Sequence, residues 1–197
     1  MSLPAAASGA LPQLWCWRHP RAEGAAGRCI GRTDLVCDQR KAKRLAHRVR
    51  ALARQQRLPQ VVWVSQLARS RAVGRVLARW GWRVHVDARI AELDFGRWDG
   101  QPWSAVPWAE VEAWQGDLLQ YAPGGGESLA QLALRVQAFV AEARDGGRPR
   151  LLVTHGGWLN ALALLPQLLP PATVLSAQDW PAPPRHGALR LGPAGAA

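Results

Sequence analysis

Short apolar runs that stop abruptly at a charged or glycine-bearing turn, each followed by a stretch of helical periodicity, restrict this chain more than any other feature. Leu14-Trp15-Cys16-Trp17 breaks at Arg18-His19-Pro20, Val61-Val62-Trp63-Val64 stops at Ser65-Gln66, and Leu151-Leu152-Val153-Thr154 ends at His155-Gly156-Gly157. Apolar runs this short, without polar alternation, read as strands buried on both faces, as in a parallel sheet covered by helices. Between them, from Arg40 to Arg57, the residues Ala42, Leu45, Ala46, Val49, Leu52 and Ala53 recur at helical spacing with arginines opposite. Further helices are predicted from Arg69 to Trp80, closed by Gly81, from Pro107 to Leu119, and from Ser128 to Ala143 after the Gly124-Gly125-Gly126 turn. Another helix follows from Trp158, and Trp82 to Val86 and Ala188 to Leu191 read as short strands, the latter at an edge. The expected fold is a three-layer α/β/α sandwich around a mostly parallel central sheet.

A chain of 197 residues is long enough for one such domain with a real core, expected over residues 12–197 behind a loose tail at 1–11. The tail has neither the basic start nor the apolar stretch of a secretory signal. The proline-rich stretches 165–172 and 181–184 are short enough to be loops within the domain. No apolar run approaches the ~18 residues that span a bilayer, so no membrane partner is expected. The net charge of +11 attracts nucleic acid, acidic membranes and phosphorylated small molecules alike, but the arginines are spread along the chain rather than gathered in a tail. Nucleic acid is therefore disfavoured as a partner. Cys16, Cys29 and Cys37 are odd in number and lack paired metal spacing, which points to a reducing compartment, the cytoplasm.

Open α/β sheets bind ligands outside the carboxyl ends of their strands. Two ends carry a histidine: His19 follows Arg18, and His155 precedes two glycines. Arginine binds phosphate oxygens in a fork, and glycine lets a helix N-terminus approach them, so this combination suits an anion. In order along the chain come Trp17-Arg18-His19, Ser65-Gln66-Leu67-Ala68-Arg69, the segment from Glu92 to Gly100, Gly125-Gly126-Glu127-Ser128 with Arg135, and Val153-Thr154-His155-Gly156. In these five pieces the chain resembles the histidine phosphatase (phosphoglycerate mutase-like) superfamily. It is most similar to the α-ribazole phosphatase subgroup, which acts in cobalamin assembly, because Gly31-Arg32-Thr33-Asp34 and Gly-Gly-Glu-Ser sit as they do there.

The resemblance implies a phosphomonoesterase acting on a small phosphate ester without metal or other cofactor. His19 would be the nucleophile that forms a phosphohistidine, splitting one hard displacement into two. Arg18, Arg69, His155 and Gly156 would hold the phosphoryl oxygens, where fixed donors stabilise the charge of the transition state. Glu92 would donate a proton to the leaving alcohol, a role that requires an environment favouring the protonated carboxyl. Arg32, Trp98 and Trp103 are candidates for the substrate entrance, with Trp108 beside them, whereas Trp15, Trp17 and Trp63 read as core. Glu127 reads as a first-turn or capping group, Arg71 as a solvated arginine, and His47 and His85 as packing or surface residues.

The chain departs from the family pattern at Pro20, which replaces the usual glycine and has no N–H, and at Arg21, Ala22 and Val73. A second triplet, Arg185-His186-Gly187, matches the usual letters better, but it follows Pro181-Ala182-Pro183-Pro184, which excludes a central strand, so it is set aside. Two rivals stand beside the phosphatase: phosphoryl transfer of the phosphoglycerate mutase type, and a non-catalytic phosphate- or RNA-binding module that works through the basic helix 40–57. The sequence leaves a homodimer open.

Overall fold

The computed structural model describes residues 14–170 and 176–192. The tail predicted at 1–11 and part of the first proline-rich stretch lie outside the described residues. Five strands form one sheet: β1 (Leu14–Arg18), β2 (Val61–Val64), β3 (Arg83–Val86), β4 (Arg150–Thr154) and β5 (Leu189–Leu191). Their order is β3-β2-β4-β1-β5. All neighbours run parallel except β5, which lies antiparallel on β1.

Strand side chains alternate between two covering layers, as the pleat requires. On one face Trp15, Trp17, Val62, Val64, Leu151 and Val153 pack with helices α1 (Gln39–Gln55) and α2 (Ala68–Arg79). On the other, Leu14, Cys16 and Leu152 meet α4 (Leu129–Asp145), α5 (Gly156–Ala163) and α6 (Leu165–Leu168). The expected α/β/α sandwich is present. Shorter α3 (Trp108–Gly116) buries no residue fully and packs Trp114 against the edge of the second layer.

Helix starts follow local chemistry. Asp38 caps α1 by accepting from the amides of Arg40 at 2.7 Å and Lys41 at 3.1 Å. Ser128 and Gln131 exchange side-chain and backbone hydrogen bonds in a capping box that opens α4. Ser128, not Glu127, therefore does the capping there. Several boundaries differ from expectation by one to three residues. Helix α3 stops at Gly116 rather than Leu119, because the Asp117 carboxylate accepts from Gln120 N at 3.0 Å and holds a turn instead. Helix α5 begins at Gly156, with His155 as its N-cap, two residues before the expected Trp158. No helix among the described residues is long and apolar enough to cross a membrane.

The topology decides where chemistry can occur. Strands β1 and β4 are neighbours near the centre of the sheet, with Arg18 in register with Thr154. The next residue of each strand is a histidine, and His19 N donates to Thr154 O at 2.9 Å.

Candidate active site

A cavity of about 580 Å³ opens at these strand ends, and Arg18, His19, Arg69, Glu92 and Gly156 all line it. His19 is only 4% exposed. Its Nδ1 lies 2.6 Å from Pro20 O. A carbonyl only accepts, so Nδ1 carries the ring proton and Nε2 keeps its lone pair. Replacing the usual glycine by Pro20 removes an N–H, yet the group that fixes the tautomer is the carbonyl, which proline retains. The Arg69 Nε–H reaches His19 Nε2 at 3.3 Å. Burial, then the Arg69 guanidinium, hold the His19 imidazole well below its ordinary value of 6.5, which keeps the ring neutral.

His155 is fully buried, its ring centroid 4.8 Å from that of His19. Ser65 Oγ accepts from Leu67 N at 3.3 Å and lies 2.7 Å from His155 Nε2. The other ring nitrogen of His155, Nδ1, is buried and has no hydrogen-bond partner among the described residues. Burial, followed by the neighbouring His19, also lowers the His155 pKa well below 6.5.

Both shifts carry a stability consequence. With folded-state values depressed, the unfolded chain takes up protons that the folded chain refuses, so this stability is complete above about pH 6.5 and falls as pH drops below it. The urea midpoint should decline between about pH 7 and pH 5, before the carboxylates titrate, and His155→Asn should flatten that decline. A midpoint constant over this range would contradict the neutral buried pair.

Arg69, 1% exposed, is held by the loop before α1: its Nη1 donates to Thr33 O at 2.8 Å and its Nη2 to Gly31 O at 2.6 Å. That loop is in turn shaped by Asp99, whose carboxylate accepts from the amides of Gly31 at 3.1 Å and Thr33 at 3.0 Å, and from Arg32 N and the Thr33 hydroxyl. Asp99→Ala leaves these donors unmatched, which costs about 1–3 kcal/mol of stability. It should also lower kcat/KM by about tenfold through a loosened Arg69. Unchanged inhibition by inorganic phosphate in Asp99→Ala would break this link.

The two glycines after His155 exist for close approach. A Cβ on Gly156 would stand 2.8 Å from Pro183 Cβ and 3.2 Å from the Arg18 guanidinium carbon, and one on Gly157 would stand 2.5 Å from Glu92 Oε1. Bare backbone lets Gly157 N donate to Glu92 Oε1 at 2.9 Å, with Leu93 N at 3.1 Å on the same oxygen. Oε2 makes no side-chain hydrogen bond among the described residues. Arg135 fixes the backbone behind this carboxyl: it donates to the carbonyls of Arg89, Ala91 and Glu92 at 2.8, 2.7 and 3.0 Å. Glu127 grips Arg135 through both carboxylate oxygens, at 2.6 and 2.8 Å. Arg18 is steered by Pro184 O, 2.7 Å from its Nη1.

The entrance residues fare differently. Trp103 lines the cavity, but Trp98 does not: it is 2% exposed, packs edge-on against Trp114, and its indole N–H donates to Glu110 at 2.7 Å. Arg32 is also off the cavity wall, its Nη2 turned to Glu127 at 3.9 Å, and Trp108 stands exposed outside it. In their place Phe95, Trp114 and Trp180 supply aromatic wall. His186, from the triplet set aside on sequence grounds, also lines the cavity, 5.3 Å from His19 ring to ring. Among the described residues no cluster of three or more His, Cys, Asp or Glu side chains is placed to hold a metal ion.

The sequence model of the histidine phosphatase superfamily (branch 1) matches residues 14–177. The glucosyl-3-phosphoglycerate phosphatase of Mycobacterium tuberculosis is 36% identical over 118 residues, which are 53% of this chain and 49% of that protein. The chain thus spans about half the length of this curated relative. The crystal structure of a mycobacterial glucosyl-3-phosphoglycerate phosphatase with VO3 superposes with a TM-score of 0.71 at 27% identity, over 91% of this chain and 92% of the other. The α-ribazole phosphatase of Shigella flexneri shares the fold, with a TM-score of 0.72 at 22% identity over 91% and 89% of the two chains. A site with a buried histidine pair at the ends of adjacent parallel strands, joined to a match over most of the chain, places this protein in the histidine phosphatase superfamily.

Proposed function

We propose that the protein is a phosphomonoesterase that hydrolyses a small phosphorylated metabolite through a phosphohistidine at His19, with no metal ion in the reaction. The observation that carries this reading is the state of His19: neutral, tautomer fixed by Pro20 O, and Nε2 turned toward the Arg69 guanidinium. In the first step Nε2 attacks phosphorus and the bond to the ester oxygen breaks. Arg18, Arg69, His155 and the start of α5 at Gly156 stabilise the phosphoryl oxygens, and Glu92 gives its proton to the departing alkoxide. In the second step water attacks phosphohistidine, Glu92 takes the water's proton, and His19 regains its lone pair.

Two substrates are tested first: glucosyl-3-phosphoglycerate, in the name of the curated relative, and α-ribazole 5′-phosphate, from the sequence resemblance, which would put the enzyme in cobalamin biosynthesis. Turnover of both, with 3-phosphoglycerate as a test for mutase chemistry, decides among them. None of the residues of α1 lines the cavity, which favours a small ester over RNA held on the basic helix. The described cysteines, Cys16, Cys29 and Cys37, are unpaired and buried, in keeping with a cytoplasmic protein. Hydrolysis of p-nitrophenyl phosphate should persist in EDTA. Complete loss in EDTA, restored by Mg²⁺ or Zn²⁺, would overturn the mechanism.

A further inference from the structure

The proline-rich segment before β5 closes one wall of the cavity. Asn160 Nδ2 donates to Pro181 O at 2.6 Å, Arg18 Nη1 to Pro184 O at 2.7 Å, and Gly187 N to Arg18 O at 2.9 Å. These bonds tie the segment to both histidine-bearing strand ends and fix the side chain between them, His186. Its Nδ1 is 3.2 Å from His19 O. That oxygen only accepts, so Nδ1 carries the proton and Nε2 is a bare acceptor. Burial, then the charge of Arg18, push the His186 pKa down to about 4, which keeps the ring neutral at ordinary pH. The charged side chains around it on the cavity wall are mostly donors: Arg18, Arg21, Arg28 and Arg69. The acidic side chain among them, Glu92, is committed to proton transfer in the proposed reaction. Apart from the nucleophile His19 and the amide oxygen of Asn160, His186 Nε2 is the neutral side-chain acceptor that this wall offers to the part of the substrate beyond phosphorus.

We infer that His186 is a specificity residue whose Nε2 accepts a hydrogen bond from a hydroxyl group on the leaving alcohol, so that the substrate is the phosphate ester of a polyol or sugar. The inference rests on the phosphatase reading for the orientation of the ester, but binding tests it apart from turnover. A site that presents an unmatched acceptor rewards a hydroxyl and discriminates against an analogue without one.

The tautomer argument also separates recognition from positioning. In His186→Asn the amide N–H can replace Nδ1 and keep the bond to His19 O, but the side chain is too short to present an acceptor where Nε2 stands. In His186→Gln the amide oxygen reaches the Nε2 position and the bond to His19 O is lost.

The test measures dissociation constants by calorimetry for glycerol 3-phosphate and propyl phosphate, which differ only in hydroxyl groups, on the full chain carrying His19→Ala to prevent turnover. The expected preference for glycerol 3-phosphate is about fivefold or more, the range of one net hydrogen bond. Adding His186→Asn should bring the ratio near one, while His186→Gln should retain most of it. Equal affinity for the two esters, a ratio unchanged in His186→Asn, or loss of the ratio in His186→Gln but not in His186→Asn, would each overturn the assignment. Failure of the phosphatase reading shows separately, as absent turnover of p-nitrophenyl phosphate by the unmodified chain.

Discussion

Replacing His19 by alanine is expected to lower kcat by on the order of 10³ or more, the loss that follows removal of a covalent nucleophile. Arg18, Arg69 and His155 remain, so binding of inorganic phosphate should persist, and the defect should lie in kcat rather than in KM. With a labelled ester, the unmodified enzyme should acquire phosphate that is acid-labile and base-stable, on the peptide containing His19. His186 makes the mapping informative, because its ring lies only 5.3 Å away on the same cavity. Label on the peptide containing His186 would mean that the other triplet holds the nucleophile.

The second large effect belongs to Glu92 and depends on the ester. A positioned acid contributes about 10²–10⁴ in rate, and most where the departing oxygen is basic. Glu92→Gln should slow hydrolysis of an alkyl phosphate by roughly 10² or more, and that of p-nitrophenyl phosphate much less, because nitrophenolate leaves without a proton. The amide can still accept from Gly157 N, so the fold around it is kept. Asp94, whose Oδ1 accepts from Gly96 N at 2.8 Å, is the control: Asp94→Asn should show no contrast between esters. Equal slowing of both esters by Glu92→Gln, or a contrast in Asp94→Asn, takes the acid role from Glu92.

The strands and most helices were legible because burial on both faces leaves unbroken apolar runs, and burial on one face leaves a helical stripe. His19, Arg69, Glu92 and His155 were legible as ordered local motifs. Trp98 was not: on a short 3₁₀ turn (Gly96–Trp98) no periodicity says which side chain points inward, and Trp98 went to the core while Trp103 went to the wall. Arg32 looked like an entrance cation until the fold brought Glu127 beside it. His186 was set aside for a sound reason, since its segment is not a central strand, yet a loop needs only to pass the site. Its bond to the His19 carbonyl joins positions 167 residues apart, a pairing no local pattern encodes. The support of Arg69 by Asp99 is hidden in the same way, because it runs through backbone groups that every residue shares.

Strand β1 lies between β4 and β5, so both its neighbours come from beyond residue 149. While the chain is being synthesised, at about 5–20 residues per second, this apolar strand waits roughly 7 to 26 seconds before either edge can pair. Nascent chains are thus exposed to association through β1, and a chaperone that shields Leu14–Arg18 would meet that hazard directly. The same ordering delays the chemistry: His19 is made long before Thr154, His155 and His186, so the site is finished only when those later segments dock.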